Sequence, residues 1–172
     1  MRERDTTAGH DITLRRAGPA DAAEIARLSQ AFRQELGEPS EHLSEAAVLR
    51  DGFGDNPEFQ VFLAEIAGDS VGYALFLNAY EPTYAEAGTY LADLYVVPGA
   101  RRRSVARNLV AAVAADTRRR GRTFVWWISM SDNSKAEAFY RSLGVSVVAT
   151  KAYAATRFST FDRLAKQALP VA

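Results

Sequence analysis

The stretch Val97-Pro98-Gly99-Ala100-Arg101-Arg102-Arg103-Ser104-Val105-Ala106-Arg107-Asn108-Leu109 decides how the rest of this 172-residue chain is read. An apolar, β-rich run over residues 89–97 stops at Pro98-Gly99. Three arginines follow, and small residues then open a helical pattern with Val105, Leu109 and Val113 on one face. The first turn of a helix presents backbone N–H groups and carries about half a unit of positive charge. Small side chains at Ser104 and Ala106 let an anion reach those groups, and arginines add donors suited to phosphate. The segment therefore has the features of a pyrophosphate cradle, although an exposed basic loop entering an ordinary helix accounts for the same residues. Glycine is missing where a Walker A loop or a dinucleotide fingerprint requires it. Nucleic-acid binding is disfavoured because Arg118, Arg119, Arg120 and Arg122 lie ~25 Å along the helix from the first cluster.

Working outward, residues 12–15 alternate as a half-buried strand does, and Gly18-Pro19-Ala20-Asp21 opens a helix that runs to Gly37. Asp21 with Glu24 has the spacing of a capping box. A shorter helix is expected over residues 44–50. Residues 59–66 and 71–78 are β-rich runs joined by Ala67-Gly68-Asp69-Ser70, a hairpin signature. After the helix of residues 104–120, closed by Gly121, come a strand at 123–128, a helix at 133–143 and candidate strands at 145–149 and 157–161. The order predicts one mixed α/β (α+β) domain over residues 12–164, with a central, mostly antiparallel twisted sheet of about seven strands and about four helices. Residues 1–11 are expected to be a disordered tail and 165–172 a C-terminal tail.

Composition excludes several classes. The chain lacks cysteine, which removes disulfide frameworks and thiolate chemistry, and His10 and His42 alone cannot make a metal centre, so no metal is expected. No apolar run approaches the ~20 residues of a membrane span. The N-terminal stretch has no apolar secretory segment, and a cytoplasmic protein is the expectation. The formal net charge of zero is a cancellation. Residues 1–100 carry 7 basic and 17 acidic side chains, residues 101–172 carry 14 and 4. Such asymmetry points to a localised anionic partner.

A second informative segment is Asn133-Ser134-Lys135-Ala136-Glu137-Ala138-Phe139-Tyr140-Arg141-Ser142-Leu143-Gly144. Ala136, Phe139, Tyr140 and Leu143 share a helical face, and on that ground alone Tyr140 is a core aromatic. Taken together, the two segments follow a pattern: strand, R-x-x-(small)-x-(small), helix, strand, then N-x-x-A-x-x-F-Y-x-x-x-G. This resembles the GNAT acetyltransferase superfamily. Leu49-Arg50-Asp51-Gly52-Phe53-Gly54-Asp55-Asn56-Pro57, Phe62-Leu63-Ala64-Glu65 and Leu91-Ala92-Asp93-Leu94-Tyr95-Val96 are similar to its diamine (spermidine/spermine) N-acetyltransferase branch. The resemblance covers roughly residues 12–164.

The resemblance implies acetyl-CoA as acetyl donor, with its pantetheine arm along Leu94, Tyr95 and Val96. It implies a pyrophosphate held by Arg101, Arg102, Arg103, Ser104, Val105 and Ala106, and contacts from Asn133 and Lys135. Tyr140 would be the general acid that protonates the departing thiolate, whose conjugate acid has a pKa comparable with tyrosine's. The acceptor would be a small primary amine (a diamine, an amino acid or a related cationic amine), and C-terminal strands at residues 153–161 would form a homodimer. Ser104 stands where the family prefers glycine, Ala92 where the polyamine enzymes carry a carboxylate, and Lys151-Ala152-Tyr153 where a further acid is expected. Glu81 and Asp93 remain as acids for the acceptor, strand alternation sets Asp93 opposite Ala92, and no general base is assigned. An acyl-CoA-binding regulatory module without chemistry is the alternative.

Overall fold

A computed structural model describes residues 12–129, 133–147 and Lys166. Five strands lie side by side in chain order, β1 Ile12–Arg16, β2 Gln60–Ile66, β3 Asp69–Glu81, β4 Glu86–Val96 and β5 Phe124–Trp126. The first four pair antiparallel and β5 joins β4 in parallel. Helices α1 Ala22–Leu36, α2 Glu45–Phe53, α3 Val105–Arg119 and α4 Ser134–Arg141 complete a mixed α/β fold. The chain divides into two compact units, Met1–Asp132 and Asn133–Ala172, and α4 belongs to the second.

Hydrophobic periodicity explains the first unit. Ile25 and Leu28 of α1 and Val48 of α2 cover one face of the sheet together with Leu63, Tyr73 and Tyr95. On the other face Val105, Leu109 and Val113 of α3 pack on Ala64, Ala74, Phe76 and Leu91. The core thus lies on both sides of one sheet.

The β2–β3 hairpin turns on only two residues, Ala67 and Gly68, at φ 55° and 89°. Both φ values are positive, as a primed two-residue turn requires. β3 and β4 are longer than the sequence runs suggest, since β3 extends to Glu81 and β4 begins at Glu86. At the opposite end of α1, Gly37 at φ 70° closes the helix.

Three expectations need correction or fall outside the described residues. Asp21 does not form a capping box with Glu24. Its carboxylate accepts from the Gly18 N–H and from Arg15, and Glu24 pairs with Arg27 instead. The sheet has five strands among the described residues rather than about seven, since residues 145–147 form no strand. The rest of that candidate strand, and the one at 157–161 expected to form a dimer contact, lie outside the described residues. Arg120 and Arg122, just past the end of α3, bond to the sheet. Arg120 donates to Asn78 Oδ1 (2.9 Å) and Thr89 Oγ1 (3.2 Å), and Arg122 to the Gly88 carbonyl (2.9 Å). Together they tie the end of α3 to β3 and β4.

Candidate active site

The site is built where β4 outruns its neighbour. β5 pairs with β4 only at Gly88, Thr89 and Tyr90, opposite Phe124, Val125 and Trp126. Beyond Tyr90, β4 continues to Val96 against β3 alone, so among the described residues its edge from 91 to 96 has no ladder partner on the β5 side. An unpaired edge presents N–H and C=O groups ready to bond an extended ligand. Leu94, Tyr95 and Val96 lie in this open stretch.

A bulge sits inside it. Leu75 pairs with Asp93 and Phe76 with Leu91, which leaves Ala92 as the extra residue. Bulges re-aim the side chains that follow them. Leu91 packs on the α3 side, whereas Asp93 and Tyr95 face α1. Ala92 is exposed and Asp93 is 5% exposed, and the bulge breaks simple alternation between Leu91 and Asp93.

The buried Asp93 carboxylate is fully engaged. The Tyr73 hydroxyl donates to it at 2.8 Å, and the Arg33 guanidinium donates to its other oxygen. Arg33 also reaches Glu38 at 3.1 Å. Burial, with Asp93 next in size, pushes the Tyr73 phenol far up, so it stays a hydrogen donor. Glu81 is elsewhere. It faces Glu86 in the hairpin register and accepts the Thr83 N–H at 2.9 Å, which holds its carboxyl below the usual range. Seven residues of strand separate Glu86 from Asp93, about 20 Å at the usual rise. The two acids proposed for an acceptor are not brought together.

At the end of β4 a short 3₁₀ turn, Pro98–Ala100, leads into the arginine loop. Arg102 and Ser104 adopt left-handed backbone, φ 62° and 64°. Ser104 is the N-cap of α3, its carbonyl taking the first helical bond from Asn108 at 2.9 Å. The N–H groups of Val105, Ala106 and Arg107 form the first turn, which has no acceptors within a helix. Arg102, Arg103 and Ser104 are exposed, and Val105 is buried, so the helix start is anchored while the loop faces solvent. Arg101 differs from its neighbours. Its Nε donates to the Val96 carbonyl (2.8 Å), its Nη2 to Glu35 (2.6 Å), and its guanidinium lies over the Tyr95 ring.

The φ of Ser104 explains a departure noted in the sequence. A left-handed L-residue costs about 1–2 kcal/mol that glycine avoids. Part of that gain is offset by glycine's greater freedom when unfolded. Ser104→Gly is therefore expected to stabilise the fold modestly and raise the thermal midpoint by about 1–3 °C. A lower midpoint by differential scanning calorimetry contradicts the assignment of strain to this residue.

In the second unit, Asn133 caps α4, its Oδ1 accepting the Ala136 N–H at 3.0 Å. Lys135 follows in the first turn. Tyr140 lies half-buried beside Phe139, ring centroids 5.3 Å apart, and burial raises its phenol pKa. Among the described residues no group of three or more His, Cys, Asp and Glu side chains is placed to hold a metal ion, and no helix is long and apolar enough to cross a membrane.

Residues 25–145 match the acetyltransferase (GNAT) family. The chain belongs to that family and is an N-acetyltransferase. It is 31% identical over 140 residues to a thialysine N-epsilon-acetyltransferase of Mus musculus, spanning 76% of this chain and 82% of the relative. An aminoglycoside N(6')-acetyltransferase of Stenotrophomonas maltophilia is 32% identical over 136 residues, spanning 77% and 84%. Among solved structures, an integron cassette protein from the mobile metagenome of V. cholerae superposes with a TM-score of 0.76 at 19% identity, covering 91% of this chain and 98% of that one.

Sequence reading missed Arg33, Glu35 and Tyr73. The partners of Arg33 and Glu35 are 60 and 66 residues away, so no local signal marks them.

Proposed function

We propose that this chain transfers an acetyl group from acetyl-CoA to a small primary amine by direct attack. The observation that carries the reading is the open β4 edge at residues 91–96 leading straight into the α3 N-terminus. An amide-bearing pantetheine arm can add to such an edge as a strand does. The loop from Arg101 to Ala106 then takes the pyrophosphate, with backbone N–H donors, Arg102, Arg103 and the helix dipole acting on one anion. Asn133 and Lys135 are assigned to the donor from their places in the motif.

The neutral amine attacks the thioester carbonyl carbon, and the tetrahedral oxyanion is stabilised by backbone N–H groups. As the carbonyl reforms, the C–S bond breaks and the thiolate takes the Tyr140 proton. The new amide nitrogen releases its extra proton to solvent, since no residue is assigned as general base. Burial raises the Tyr140 phenol pKa, so the hydroxyl carries its proton at neutral pH. The acidic half of the sequence favours a cationic acceptor. Relatives named for thialysine and, over 54% of this chain, for L-ornithine in Arabidopsis thaliana support an amino-acid amine.

Hydrogen exchange with mass spectrometry tests the donor site. Acetyl-CoA is expected to slow amide exchange at residues 91–96 and 102–107 while leaving β1 and β2 unchanged. Protection elsewhere, with none in these two segments, contradicts the placement.

A further inference from the structure

Arg101 opens the proposed cradle, yet its guanidinium is held within the protein on three sides. The Val96 carbonyl, the Glu35 carboxylate and the Tyr95 ring surround it. Tyr95 in turn lies 5.4 Å from the Phe32 ring of α1. Two residues before Glu35 on the same helix, Arg33 pairs with Asp93. The last turns of α1 are thus stitched to Asp93 within the open β4 stretch and to the loop that follows it, by two ion pairs of opposite polarity. The residues after Arg101 need such an anchor. Arg102 and Ser104 both hold left-handed backbone, which persists only where the surroundings over-determine it.

We propose that Glu35 is a positioning residue for the acetyl donor, acting through Arg101. By fixing the Arg101 guanidinium against β4, Glu35 sets the loop whose backbone N–H groups, with Arg102 and Arg103, meet the phosphates. The inference rests on the reading of residues 101–106 as the pyrophosphate cradle. It differs from a role for Arg101 as a phosphate ligand, and the two give opposite signs. If Arg101 grips phosphate, Glu35 competes with the anion, and neutralising it tightens binding. If Glu35 positions, neutralising it loosens binding.

The test is a double-mutant cycle on Glu35→Gln and Arg101→Met, with acetyl-CoA affinity read by isothermal titration calorimetry. The pair is half-exposed, with side-chain exposures of 42% and 44%, so each single variant should fold normally and weaken acetyl-CoA about 3- to 5-fold. The double variant should be no weaker than the worse single one. In steady state the KM for acetyl-CoA should rise while the amine KM stays unchanged. Tighter or unchanged binding in Glu35→Gln, or effects that multiply in the double variant, overturns the proposal. Amide exchange without ligand separates it from the cradle reading. Glu35→Gln should exchange faster at residues 101–105, and unchanged exchange there also overturns the positioning role. Failure of the unaltered protein to bind acetyl-CoA overturns the cradle reading instead.

Discussion

Tyr140→Phe is expected to lower the turnover number for acetyl transfer by about 100- to 10,000-fold, the range that a positioned general acid contributes. The substitution removes one hydroxyl and keeps the ring that lies tilted against Phe139, so α4 should form as before. Without the phenol, the thiolate must leave unprotonated or take its proton from water. The affinity for acetyl-CoA should stay within about twofold, since the lost interaction belongs to the transition state. The pH dependence carries a further sign. Burial raises the Tyr140 pKa from the ordinary phenol value, so the acid form persists through neutral and mildly alkaline pH. Activity should therefore climb with pH as the acceptor amine loses its proton, with no falling limb below about pH 10. Stopped-flow detection of free thiol across this range checks both statements. A variant that retains full turnover would remove Tyr140 from the chemistry and return it to the core aromatic that its helical spacing first suggests.

The second large effect is on stability. Asp93→Ala should cost about 3 kcal/mol, measured as a shift in the urea midpoint at constant slope. The carboxylate is 5% exposed and accepts from Tyr73 and Arg33, and the fully buried Tyr73 also hydrogen-bonds Ser29. Removing the acceptor strands a phenol in the core and leaves a guanidinium unpaired. Arg33 is 30% exposed and can recover some hydration, which places the cost at the lower end of the range for buried pairs. Tyr73→Phe, which loses only the hydroxyl, should cost about 1 kcal/mol. A loss below 1 kcal/mol for Asp93→Ala would mean that the network adds nothing to the fold. The same geometry bears on the acceptor, because both oxygens of this buried carboxylate already accept from Tyr73 and Arg33.

Local signals carried most of the fold. The helical faces of α1 and α3, the 67–68 turn and the Gly37 and Gly121 stops are all short-range, and each appears where its periodicity or turn chemistry puts it. The arginine loop before α3 was legible for the same reason, since the loop and the first helical turn are contiguous in sequence. Three features were not. The bulge at Ala92 depends on register with β3, and nothing in Leu91-Ala92-Asp93 announces an extra residue. The left-handed Ser104 runs against the preference of its residue type, so only the family's glycine at that position hinted at it. The Glu35–Arg101 and Arg33–Asp93 pairs join distant segments, and chain folding alone brings them together. These long-range features are the ones that shape the β4 edge, and they decide which acids are available to an acceptor.

Transfer of acetyl to an amine is read from its two products. Purified protein is to be incubated with acetyl-CoA and a panel of lysine analogues, ornithine, diamines and aminoglycosides, with free thiol and acetylated amine quantified together by mass spectrometry. At least one amine should yield one acetylated product per thiol released, and Tyr140→Phe should depress both alike. Tight binding of acetyl-CoA with no acetylated amine from any acceptor would contradict the claim and leave an acyl-CoA-binding module without chemistry.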